Sequence, residues 1–193
     1  ISELETLYGT MAGPRAITEI REVGGVFYDA KLYDIPNTVA GAAAAAGRLG
    51  ISILNVHALG GLAMMRAAKE GAERGAREAG VPAPLVIGVT IVTSLGDDEV
   101  RAELGRRESA REAALRLAVL TKEAGLAGVV CSVQEVQEIR RKCGTGFVTV
   151  TPGIRPAWSA RGDQSRVATP AEALEAGSDY LVIGRPVTQA EDP

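Results

Sequence analysis

Short runs of Val, Ile and Leu alternate with longer mixed stretches from one end of this chain to the other. Six of the runs predict strands: Val26–Asp29, Ile51–Val56, Leu85–Val92, Ala127–Cys131, Phe147–Val150 and Tyr180–Ile183. They lack polar alternation, as the strands of a parallel sheet buried on both faces do. Between them the chain predicts helices over Thr38–Leu49, Gly61–Ala79, Ser109–Ala124, Val133–Lys142 and Pro170–Ala176. The alanine-rich Ala42–Ala46 falls inside the first, where small side chains let a helix pack closely on a sheet. Val129-Val130-Cys131-Ser132 followed by Glu135 reads as a strand, an N-cap and a first helical turn.

Repeating βα units imply a parallel sheet, either doubly wound or closed into a barrel. Polar or glycine residues follow nearly every strand: Asp29, Lys31 and Asp34, then Asn55 and His57, Thr93 and Ser94, Ser132, Thr151 and Gly153, and Gly184 with Arg185. In a barrel those positions face one mouth, whereas an open sheet gathers them at one switch point. No Gly-x-Gly-x-x-Gly follows an early strand. The expected fold is therefore α/β, a (β/α)8 TIM barrel, forming a single domain over residues 1–193. Such a barrel usually needs about 200 to 250 residues. Six units leave about two to be found before Gly25, in less length than they need, so the barrel is expected to be incomplete.

Composition narrows the function. A formal charge of −3 lacks the basic surplus of a nucleic-acid binder. No apolar run approaches the ~20 residues of a membrane span. Cys131 and Cys143 suit a reducing compartment better than a disulfide scaffold. Neither has a partner at metal-ligand spacing, and one histidine, His57, does not complete a zinc site with them; no metal is expected. Glu3 and Glu5 stand where a signal peptide would be cationic.

The segment Asp29-Ala-Lys31-Leu-Tyr-Asp34-Ile35-Pro36-Asn37-Thr38 is the densest in candidate chemistry. On an extended strand Asp29 and Lys31 leave on the same face. Asp34 follows in the turn before Pro36, which ends the strand and starts a helix. Carboxylates on both sides favour the ammonium over the amine, a poor nucleophile and a good proton donor. The competing reading is a salt-bridged lysine at a strand end. A second cluster lies near the C-terminus, where Thr149-Val-Thr-Pro152-Gly-Ile-Arg155-Pro ends one strand and Gly184-Arg185-Pro ends the last. Loops in those places often bind phosphate. Gly184 would let the backbone approach an anion and Arg185 would add a bidentate donor, although a Gly-Arg pair is commonly structural. The polar loop Ala157–Arg166 reads as a lid, with Trp158 as a packing or lid residue. His57 is either a base or a strand-end residue satisfying hydrogen bonds. Thr93 and Ser94 cap a helix over Asp97–Leu104, bind a ligand amide, or both.

In order along the chain, Asp-x-Lys-x-x-Asp-Ile-Pro-Asn-Thr (29–38), Asn-Val-His-Ala (55–58), Ala-Gly-Val-Val-Cys-Ser (127–132), Thr-Pro-Gly-Ile-Arg-Pro (151–156), Gly-Asp-Gln (162–164) and Gly-Arg-Pro-Val-Thr-Gln (184–189) resemble the orotidine 5′-phosphate decarboxylases. The resemblance implies cofactor-free decarboxylation of orotidine 5′-monophosphate to uridine 5′-monophosphate in pyrimidine synthesis, in the cytoplasm. It implies that Lys31 donates a proton to pyrimidine C6 and that Asp29 sits beside the substrate carboxylate and holds Lys31. It implies a homodimer with shared active sites, into which Asp34 and Thr38 reach from the neighbouring subunit. It assigns substrate contacts to Ile35, Asn37, Thr93, Pro152, Arg155, Gln164, Gly184 and Arg185.

Two readings compete with it: a nucleotide-phosphate-binding barrel without catalysis, and a sugar-phosphate decarboxylase of the 3-keto-gulonate phosphate type. Ile35–Thr38 disfavours the latter. The family's first-strand aspartate and second catalytic lysine are not identifiable; gap-free counting puts that lysine near Glu3, and a small insertion puts it before Ile1. The expectation is that both lie upstream of Ile1, and that a final helix follows Pro193.

Overall fold

The computed structural model describes residues 2–156 and 166–191, with side chains from Gly13 onward. Contacts gather into two compact units, Ile1–Val89 with Leu120–Gly128, and Thr90–Val119 with Val129–Pro193.

The first unit runs β1 (Ser2–Glu5), α1 (Thr6–Arg21), β2 (Val26–Leu32), α2 (Pro36–Arg48), β3 (Ile53–His57), α3 (Gly61–Ala79) and β4 (Leu85–Val89). Its strands are parallel and pair in chain order, with Glu3 opposite Phe27, Phe27 opposite Ile53 and Ile53 opposite Leu85. Ile53, Leu54 and Val56 are all buried, as a strand covered on both faces requires. β1 and α1 escaped the sequence pattern. Ser2-Glu-Leu-Glu5 has one apolar residue among three polar ones, and α1 is broken at Gly13 (φ 65°, ψ −170°), just before Pro14. Proline lacks the N–H that a continuous helix would use there.

Helices α2 and α3 pack against each other unusually closely. A Cβ on Gly71 would lie 2.3 Å from the Ala40 carbonyl oxygen, and one on Gly75 only 2.0 Å from that of Ala44. Gly47 of α2 comes as close to the Ala72 carbonyl of α3. α2 also contacts strand β2 of the sheet, while within Ala42–Ala46 it is Ala44 that takes part in this helix-on-helix packing. That contact fixes the helix whose first turn carries Pro36, Asn37 and Thr38.

The second unit contains α4 (Asp97–Ala102), most of α5 (Ala110–Glu123) and of β5 (Gly128–Val130), α6 (Val133–Cys143), β6 (Val148–Thr151), α7 (Pro170–Ala176), β7 (Tyr180–Leu181) and α8 (Arg185–Thr188). β6 and β7 are parallel, with Val150 opposite Tyr180. Val129, Val136, Ile139 and Phe147 form its core with both cysteines. Arg140 of α6 donates to the Gly177 carbonyl at 2.7 Å and to Asp179 at 2.7 Å; Asp179 in turn accepts from the Thr149 amide at 2.8 Å. One guanidinium so ties α6 to the entries of β6 and β7. α6 starts as predicted: Ser132 accepts from the Gln134 amide, and Glu135 accepts from the Ser132 amide at 2.7 Å. α4 does not use Thr93 or Ser94 as its cap; the cap is Gly96, whose amide donates to Glu99 at 2.9 Å. Among the described residues no helix is long and apolar enough to cross a membrane.

Candidate active site

Strand β2 is irregular where its chemistry lies. Tyr28 pairs with Leu54 and Leu32 with Val56, so Asp29, Ala30 and Lys31 stand opposite the single residue Asn55. Such a bulge re-aims side chains at a sheet's end. Lys31 takes φ 46°, the left-handed region that a side chain disfavours by on the order of 1–3 kcal/mol. Its amide donates to Asn55 Oδ1 at 2.7 Å, which holds the turn. Simple strand alternation therefore does not bring Asp29 and Lys31 together; the bulge does.

The result is a small charged network. Lys31 Nζ lies 2.5 Å from Asp29 Oδ2, and Asn55 Nδ2 donates to Asp29 Oδ1 at 2.6 Å. Asp29 and Asn55 are buried, while Lys31 is partly open to solvent. A buried carboxylate is tolerable only when both oxygens are engaged, and here both are. The expectation that Lys31 sits between two carboxylates of one chain needs correction. Among the described residues its ion pair is with Asp29, while Asp34 is exposed and accepts from the Ile35 amide at 2.6 Å. Pro36 turns the chain away into α2 before Asp34 can fold back. Ile35, Asn37 and Thr38 are exposed beside it.

His57, at the end of β3, packs against Tyr33 with ring centroids 5.6 Å apart. Burial lowers its pKa below the ordinary 6.5; Lys31 lowers it further and Asp29 partly offsets both. The imidazole is therefore neutral near pH 7.

In the second unit Thr93 is buried beyond β4, and its carbonyl accepts from the Arg166 amide at 3.3 Å. After β6, Pro152 and Gly153 lead into Arg155, whose amide donates to the Ala168 carbonyl at 2.8 Å. Gly184 and Arg185 are exposed at the start of α8. A Cβ on Gly184 would meet no atom of the described residues within 4 Å. Gln164 and Trp158, with most of the expected lid, lie outside the described residues.

Three further residues were not singled out as site residues from sequence. Asn55 had a signal, a lone amide in the apolar run Ile53–Val56. Glu135 was legible as a cap, but Arg166, which pairs with it, lies 31 positions away. Among the described residues no cluster of His, Cys, Asp and Glu could hold a metal ion.

Repeating parallel βα units, with polar residues gathered after the strands, define the class as a parallel α/β barrel protein. More narrowly, the chain belongs to the orotidine 5′-phosphate decarboxylase / HUMPS family, whose model matches residues 4–193. It is 55% identical to the orotidine 5′-phosphate decarboxylase of Moorella thermoacetica over 95% of this chain and 73% of that one. It is 50% identical to that of Pseudoalteromonas translucida, over 95% and 77%. The crystal structure of orotidine 5′-phosphate decarboxylase from Lactobacillus acidophilus superposes with a TM-score of 0.83 at 39% identity, covering 99% of this chain and 80% of that one. The fold is accordingly that of a partial (β/α)8 barrel.

Proposed function

We propose that this chain catalyses the decarboxylation of orotidine 5′-monophosphate to uridine 5′-monophosphate, a step of pyrimidine synthesis, without a cofactor. The observation that carries the reading is the Asp29–Lys31–Asn55 network on the β2 bulge. When the C6–carboxylate bond breaks, its electron pair stays on C6, a ring carbon with no electron sink. Lys31, already held by Asp29, supplies a fixed positive charge to that carbon without reorganisation. It then gives C6 a proton and recovers one from water. Asp29, held by Asn55 and Lys31, sits beside the departing carboxylate.

Thr93, Pro152, Arg155, Gln164, Gly184 and Arg185 are assigned to binding, with Arg155, Gln164, Gly184 and Arg185 on the phosphate. A dianion remote from the reacting carbon offers binding energy that orients the ring. Residues 1–193 act as one catalytic domain in a cytoplasmic homodimer. The exposure of Asp34, Asn37 and Thr38 next to Tyr33 (62% exposed) and Ile35 (66%) supports a surface that a second copy covers, with Asp34, Ile35, Asn37 and Thr38 completing its site. Turnover by the native protein, followed as loss of the substrate's ultraviolet absorbance, tests the proposal. Binding of uridine 5′-monophosphate without turnover would replace it with a non-catalytic binding role.

A further inference from the structure

We infer that Glu135 and Arg166 are positioning residues for Thr93, acting on substrate through the backbone that carries it. The inference rests on the proposed substrate contact of Thr93. Three helices of the second unit begin with the same cap: Ser109 with Glu112, Ser132 with Glu135, and Thr169 with Glu172. Glu112 and Glu172 do this at the surface, where backbone and hydroxyl donors hold their carboxyls below the usual range. Glu135 does it wholly buried, and burial pushes its carboxyl up against the opposing pull of Arg166. A helix cap alone needs neither the burial nor the guanidinium.

Arg166 shows where that guanidinium is spent. Nη1 pairs with Glu135, while Nη2 donates to the carbonyls of Ile91 at 3.0 Å and Val92 at 3.3 Å. The Arg166 amide donates to the next carbonyl, that of Thr93. One residue thus holds three successive carbonyls, and Thr90, just before them, is fixed by donating to the Val130 carbonyl through both its amide and its hydroxyl. The Thr93 backbone is set by this clamp, and Glu135 sets the clamp.

The test is a double-mutant cycle of Arg166→Gln with Thr93→Ala, reading KM, kcat and the Kd for uridine 5′-monophosphate. Misplacing one hydrogen bond is expected to raise KM and Kd about tenfold while kcat changes less than about threefold. In the Thr93→Ala background, Arg166→Gln should change Kd less than about twofold, because its route to the ligand is gone. Undiminished effects in that background, or an unchanged KM and Kd in Arg166→Gln alone, would overturn the inference. Should Arg166→Gln fail to fold, Glu135→Gln carries the same cycle, since it keeps the side-chain volume and an oxygen for the Ser132 amide. A wild type without turnover would sink the decarboxylase reading alone, and the Kd cycle would still decide the positioning role.

Discussion

Asn55 donates to Asp29 at 2.6 Å from within the otherwise apolar, buried run Ile53–Val56. Its other amide atom accepts from the Lys31 backbone at 2.7 Å. A single carboxamide thereby holds the carboxylate and the left-handed turn that aims the lysine. A residue that does not titrate shapes the aspartate–lysine pair.

Asn55→Ala should therefore affect stability and rate together. It removes a hydrogen bond to a buried carboxylate, at about 1.5–3 kcal/mol, and it releases the Lys31 turn. Urea unfolding should show the first effect. Steady-state kinetics should show kcat down on the order of 100-fold, the scale of a misplaced catalytic group. An unchanged kcat would mean that the bulge holds its shape without the amide.

The contact between α2 and α3 makes a paired prediction. Gly75→Ala sets a methyl against the Ala44 carbonyl, an overpacking worth about 1–3 kcal/mol of lost stability. Gly41 of α2 is exposed and has no atom of the described residues near its missing Cβ. Gly41→Ala should stabilise the helix by roughly 0.5–1 kcal/mol. Thermal melts of the two variants should move in opposite directions.

As the sole histidine, His57 gives one imidazole titration in a nuclear magnetic resonance experiment. Its midpoint should lie below 6.5, because burial and Lys31 disfavour the imidazolium. Lys31→Ala should move it up and Asp29→Asn down. Below pH 6.5 the unfolded chain takes up a proton that the folded chain refuses. Stability therefore falls as pH drops from 6.5 to the folded-state midpoint, and His57→Gln should flatten that part of the curve.

Shared sites would let two inactive variants rescue each other. In a mixed dimer of Lys31→Ala and Asp34→Ala, one site keeps both Lys31 and the partner's Asp34. Mixing and reassembling the two should restore activity that neither has alone. No recovery in mixtures shown to contain the mixed dimer would remove Asp34 from the neighbouring site.

The sequence made most of this architecture readable, and its blind spots have physical causes. α3 and α7 begin and end where periodicity and proline put them, and the Ser132–Glu135 cap stands as read. The Asp29–Lys31 pair was legible from spacing, but the bulge that joins them was not, since nothing in Asp-Ala-Lys marks an irregular register. Asp34 looked like a second partner for Lys31 because closeness in sequence ignores the turn before Pro36. The predicted strand ends at Val92, Cys131 and Ile183 lie past the observed ends at Val89, Val130 and Leu181, although the Cys131 amide still donates to the Val150 carbonyl and that of Val182 to Thr151. Glu135 and Arg166 pair across 31 positions, a distance that local pattern does not span.

Lys31→Ala compared with wild type is the most direct measurement. Both should bind uridine 5′-monophosphate with affinities within about tenfold, since in the proposed mechanism the lysine stabilises charge that exists only during reaction. Wild type should consume orotidine 5′-monophosphate, and the variant should show no detectable turnover. Near-normal turnover by Lys31→Ala would contradict the assignment of the proton and the stabilising charge to this residue.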